Sequence, residues 1–73
     1  TIEEIKKLPN GSVVYIKTDI GNGYTTYQGI GENILSQEVI RFKKFNSNDT
    51  LGLFSYAYGE KWTAYEVKSI SEV

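Results

Sequence analysis

Residues 51–67 read Leu51-Gly52-Leu53-Phe54-Ser55-Tyr56-Ala57-Tyr58-Gly59-Glu60-Lys61-Trp62-Thr63-Ala64-Tyr65-Glu66-Val67, and this stretch decides the fold class. Apolar and aromatic residues crowd both sides of Gly59-Glu60, which predicts two strands, 51–58 and 62–67, joined by a type II′ turn with glycine at its first central position. With Tyr58 opposite Lys61, one face holds Phe54, Tyr56, Tyr58, Thr63, Tyr65 and Val67, and the other holds Leu53, Ser55, Ala57, Trp62 and Ala64. Both faces are largely apolar or aromatic, so each asks for cover. In a tightly curved barrel the small Ser55, Ala57 and Ala64 suit the crowded interior and the tyrosines point outward; in an open sheet a terminal helix or a partner covers the second face.

Upstream, residues 12–18 and 24–30 are two further β-rich runs, and Asn22-Gly23 between them is the strongest short signal for a type I′ hairpin turn. Pairing Gly21 with Tyr24 sets Ile20 against Thr25, Thr18 against Tyr27 and Ile16 against Gly29. Val14, Ile16, Ile20 and Tyr27 then share an apolar face, and Lys17, Asp19, Thr26 and Gln28 share a polar one. The segment 31–45 is ambiguous: Leu35, Val39 and Phe42 fit a helix, whereas Ile40 and Phe42 with their β-branched neighbours fit a strand. We read 38–45 as a strand whose Arg41, Lys43 and Lys44 are edge charges that discourage edge-to-edge pairing. Asn46-Ser47-Asn48-Asp49 is a polar loop.

At the start, Thr1-Ile2-Glu3-Glu4 matches a capping box, and Ile2, Ile5 and Leu8 form one apolar stripe ahead of Pro9-Asn10-Gly11. One short helix is expected there, lying over one end of the sheet. The whole is mostly β: a small, partly open, five-stranded antiparallel barrel preceded by one short N-terminal helix, occupying residues 1–73 as one domain. The leading helix, the Leu8-Pro9-Asn10-Gly11-Ser12-Val13-Val14 passage into the first strand and the hairpin spacing resemble SH3-like barrels in architecture. That resemblance carries no functional residues with it.

Composition narrows the chemistry. The 73 residues include no cysteine and no histidine, which removes thiolate and imidazole catalysis, zinc fingers and disulfide staples. A secreted domain this small generally leans on disulfides, so a cytoplasmic setting is expected. No apolar run approaches the ~20 residues that cross a bilayer. The carboxylates Glu3, Glu4 and Glu72 lie near the ends, and Asp19, Glu32, Asp49 and Glu60 look like turn residues, so no pair is placed across a cleft. A chain this size also has little room for a pocket of about 300 Å³. Gly21-Asn22-Gly23 and Gly29-Ile30-Gly31 lack the following helix and the Gly-Lys-Ser/Thr of a phosphate loop. No catalytic residue, cofactor or metal is therefore expected.

What remains is binding. The leading expectation is a non-enzymatic protein-interaction module, an accessory factor or small inhibitor, docking through an aromatic sheet face or a strand edge. Tyr56, Tyr58 and Tyr65 with Lys61 form the candidate patch, and Trp62 serves the same role from the other face. A phage or mobile-element origin fits a stand-alone domain of this length. The alternative is a single-stranded nucleic-acid binder using Arg41-Phe42-Lys43-Lys44-Phe45, where bases interleave with aromatics as phosphate tracking and base stacking require. Against it stand a net charge of -1 and a lone arginine. A third expectation is a homodimer that buries the second apolar face of the last hairpin.

Overall fold

Helix α1, Ile2–Lys6, starts at Thr1, whose hydroxyl accepts the Glu4 N–H while the Glu4 side chain reaches back to the Thr1 backbone. Five residues are too few to hold a helix alone. Tertiary contacts hold this one: Ile5 is buried, Ile2 and Leu8 pack half-buried beside it, the Lys6 ammonium meets Glu38 at 2.7 Å, and the Lys6 carbonyl accepts the Tyr27 hydroxyl at 3.1 Å. The expected stripe is thus the face that closes one end of the sheet. A computed structural model describes residues 1–44 and 46–67 of the chain.

Five strands follow: β1 Val13–Thr18, β2 Gly21–Glu32, β3 Glu38–Lys43, β4 Thr50–Phe54 and β5 Trp62–Glu66, with a 3-10 turn at Ser55–Ala57. They form one antiparallel sheet in the order β4-β3-β2-β1-β5, and the sheet does not close. The fold is therefore mostly β, with five antiparallel strands and one short helix, as a small partly open barrel requires. Among the described residues no helix is long and apolar enough to cross a membrane.

The long β2 joins the two halves, pairing first with β1 and then with β3, and its ladder slips between Tyr27 and Ile30. Gly29 occupies that slip at φ +98°, a backbone state that costs L residues dearly, and the Asn10 side chain crowds the place a Cβ would take. The resulting bend wraps both halves around one core of Val14, Ile16, Tyr27, Ile40, Phe42, Trp62 and Ala64. Edge-to-face contacts run through it, with ring centroids 6.0 Å apart for Tyr27 and Phe42 and 5.7 Å for Phe42 and Trp62.

Three expectations about the strands are corrected. The first hairpin turns at Asp19-Ile20, not at Asn22-Gly23, so Ile16 faces Gly23 instead of Gly29. The Thr18 hydroxyl donates to the Gly21 carbonyl and accepts the Ile20 N–H, and Asn22 accepts the Thr18 N–H through its side chain, so Asn22 is spent on the turn before it. The slip from 29 to 23 is even, so Val14, Ile16 and Tyr27 keep their common face, but Ile20 lands on the turn and is 89% exposed.

Secondly, the strand reading of 38–45 holds over Glu38–Lys43, but β3 lies between β2 and β4, so Arg41 and Lys43 are not edge charges. Lys44 follows the strand, and Phe45 lies outside the described residues. Thirdly, 51–58 and 62–67 are not a hairpin. β4 pairs with β3, β5 pairs with β1, and Gly59-Glu60 belongs to a longer turn in which the Gly59 N–H meets the Trp62 carbonyl at 2.7 Å. A flat hairpin leaves one of its two apolar faces in water. The 3-10 turn instead redirects the chain so that Trp62 and Ala64 cover the opposite rim of the same core.

Candidate functional site

Strand alternation sends Val14 and Ile16 into the core and turns Tyr15 and Lys17 outward. The register then sets Tyr15 directly opposite Tyr24 on one side and Tyr65 on the other, giving a row of tyrosines across β2, β1 and β5. The Tyr15 and Tyr24 rings meet edge to face at 4.9 Å. Tyr24 is 68% and Tyr65 55% exposed, so the row is displayed and not packed away. Lys17, flanked by Asn22 and Thr63, forms the next row on one side, and exposed Val13 and Val67 border the other.

At the Tyr24 end the face opens into a groove of about 450 Å³ lined by Tyr24, Thr26, Lys43, Lys44, Asn46 and Asn48 among others. It is roomier than the chain length led one to expect. The loop forming its far wall is pinned by the Lys44 N–H to the Asp49 carbonyl at 2.7 Å, and the Thr25 hydroxyl donates to the Lys43 carbonyl. Among the described residues, Lys17, Arg41, Lys43 and Lys44 take part in no salt bridge, whereas Lys6 is paired with Glu38 and Glu3. That pairing holds the Glu38 carboxyl below its ordinary 4.5 and the Lys6 ammonium above its ordinary 10.5.

The residues named from the sequence are distributed differently. Trp62 is 3% exposed, with its indole N–H bonded to the Phe54 carbonyl at 2.8 Å, and belongs to the core. Tyr58 is half-buried, its ring against Trp62 at 4.9 Å and its hydroxyl on the Ala64 carbonyl at 3.3 Å. Tyr56 is exposed on the 3-10 turn and stacks on Phe54, and Lys61 is exposed in the turn before β5. Tyr65 joins Tyr15 and Tyr24. The face assigned to a second copy, which includes Ala57, Trp62 and Ala64, is filled by the chain's own core.

The basic run also divides by alternation. Arg41 points outward across Gly31, Lys43 and Lys44 line the groove, and Phe42 is fully buried where no base could stack on it. Tyr15 and Tyr24 are the residues the sequence reading passed over, because the outer face of the first hairpin looked polar. Alternation alone places Tyr15 beside Lys17 and Tyr24 beside Thr26, whatever the register. Among the described residues no three carboxylates gather as a metal site needs. No protein-family model, curated protein or solved structure matches the chain.

Proposed function

We propose that this domain is a non-enzymatic protein-interaction module, an accessory factor or small inhibitor, that docks its partner on the Tyr24, Tyr15, Tyr65 row. The observation that carries this reading is the row itself: aromatic rings lined up on regular strands around half-buried Tyr15, with Tyr24 and Tyr65 more than half exposed and Tyr24 lining a groove. Tyrosine gives large contact area, few rotatable bonds and a polar tip, which is why it concentrates at binding hot spots. The strand order, with outermost β4 and β5 linked through a 3-10 turn, supports the SH3-like form of the barrel. The lack of cysteine supports a cytoplasmic setting.

The test is capture from lysate of the source cell or its host, with nuclease present, comparing wild type with the Tyr24→Ser/Tyr65→Ser protein. A stoichiometric protein held by wild type at high salt and lost by the variant supports the reading. Equal capture by both sinks it. A second reading, single-stranded nucleic-acid binding, is favoured by one observation: Lys43, Lys44 and Tyr24 line the same groove. Its signature is capture that vanishes with nuclease and affinity that falls steeply with salt.

A further inference from the structure

We infer that the partner segment seated on the tyrosine row is an acidic stretch of protein whose carboxylates enter the groove beside Tyr24. The inference rests on the docking reading and adds the chemistry of the partner. On the outward positions of the strands the charges are Lys17 on β1 and Arg41 and Lys43 on β3, with Lys44 following. None of them has a carboxylate partner among the described residues.

The carboxylates lie elsewhere. Glu3 and Glu38 gather around Lys6, Asp19 sits in the β1–β2 turn, and Glu32 pairs with Glu38 at the far end of β2. Glu60 sits in the turn before β5. Asp49 belongs to the loop that walls the groove but does not line it. Glu4 and Glu66 line a separate hollow between α1 and β5, and Tyr65 borders that hollow too. Among the described residues the row thus has unpaired ammonium groups at its Tyr24 end, whereas at its Tyr65 end Glu4 is held by the Thr1 ammonium at 2.7 Å and Glu66 lies on the core side of the sheet with Val14.

That arrangement separates a protein from a nucleic acid. A phosphate backbone carries a negative charge at every nucleotide, and along the row it would find lysines chiefly at the Tyr24 end, on a chain of net charge -1. A peptide can place its acids against Lys43 and Lys44 only and leave neutral side chains for the tyrosines. Three neighbouring strands span roughly 10 Å, so about three extended residues cover the row, and the residues that follow enter the groove.

The experiment is selection of a random dodecapeptide phage library on the immobilised full chain, counter-selected on the folded Tyr24→Ser/Tyr65→Ser variant. Recovered sequences should show an acidic excess beside aromatic or aliphatic residues. A synthetic copy should bind Lys43→Glu/Lys44→Glu about tenfold or more weakly than wild type, and bind Glu66→Lys at least as well. Sequences without acidic excess, no enrichment, or equal affinity for the charge-reversed variant overturn the inference. Non-acidic peptides that still need the tyrosines do so while leaving the docking reading intact. Peptides that ignore the tyrosine substitutions overturn both. Displacement of the peptide by oligo-dT at lower concentration than by the peptide itself assigns the face to a nucleic acid.

Discussion

The Trp62 indole donates to the Phe54 carbonyl across 2.8 Å, joining the first residue of β5 to the last of β4. These are the two outermost strands, between which no ladder forms, so one side-chain bond spans the rim the sheet leaves open. Trp62 also packs edge to face on Phe42 and Tyr58. Trp62→Phe leaves the Phe54 carbonyl without this donor and a void against both rings, which costs about 2–4 kcal/mol. A core this small supplies roughly 3–5 kcal/mol net. The variant should therefore unfold at much lower urea, followed by far-UV circular dichroism because the only tryptophan is gone. An unchanged midpoint would return Trp62 to the list of surface residues.

The row makes the opposite prediction for stability. Tyr65→Ser removes a ring that is more than half exposed, and Tyr24→Ser also removes an edge contact with Tyr15 of the kind that contributes about 0.5–1.5 kcal/mol. Each should lower stability by no more than about 1.5 kcal/mol in urea titration. A loss well beyond that in either variant would show the rings to be structural, and binding defects in them would lose their meaning.

What was legible in the sequence follows the reach of each rule. The α1 cap and stripe, the parity of Val14, Ile16 and Tyr27, and a strand over Glu38–Lys43 are local patterns, and they are where the residues said. Pairing partners are not local. Asn22-Gly23 is a strong turn signal, yet Thr18 and Asn22 together stabilise an earlier turn, and β2 must serve β3 as well as β1. The two apolar faces of 51–67 were legible too, but the kink that folds them around one core depends on the free edge of β1, which no window of sequence contains. The candidate site moved for the same reason: Tyr65 comes opposite Tyr15, and so into one row with Tyr24, only once β5 leaves β4 for β1.

Arg41 and Gly31 give a test of outer-face packing. The Arg41 guanidinium lies over Gly31 where a Cβ would stand. Because Arg41 is exposed, it can swing aside, so Gly31→Ala should cost less than about 1 kcal/mol in wild type. In an Arg41→Ala background the same change should be neutral or stabilising by up to about 1 kcal/mol, because alanine restricts the unfolded chain. The double-mutant cycle reads the difference. Strict additivity would mean that the two residues do not touch in solution.

The pair of Lys6 and Glu38 ties α1 to β3 and should be visible as pH dependence. The Glu38 carboxyl is lowered from 4.5 chiefly by its hydrogen bond from Lys6, with Ser55 adding to it and burial opposing. A lowered acid favours the folded state above its unfolded pKa, so this contribution is complete above about pH 5 and is lost as pH falls through the folded-state value. The Lys6 ammonium is raised from 10.5, chiefly by the same bond, so its contribution is complete below that value and is lost as pH rises past it. The Tyr27 hydroxyl is raised from 10.0, mainly by burial and further by Glu38, and its preference for the protonated form in the folded state is likewise lost in alkali. Thermal melts of wild type and Glu38→Gln should therefore differ most on the plateau between these limits and converge in acid, where Glu38 is protonated and glutamine mimics it. A gap that persists unchanged in acid strong enough to protonate every carboxylate would mean that the carboxylate charge is not what couples the helix to β3.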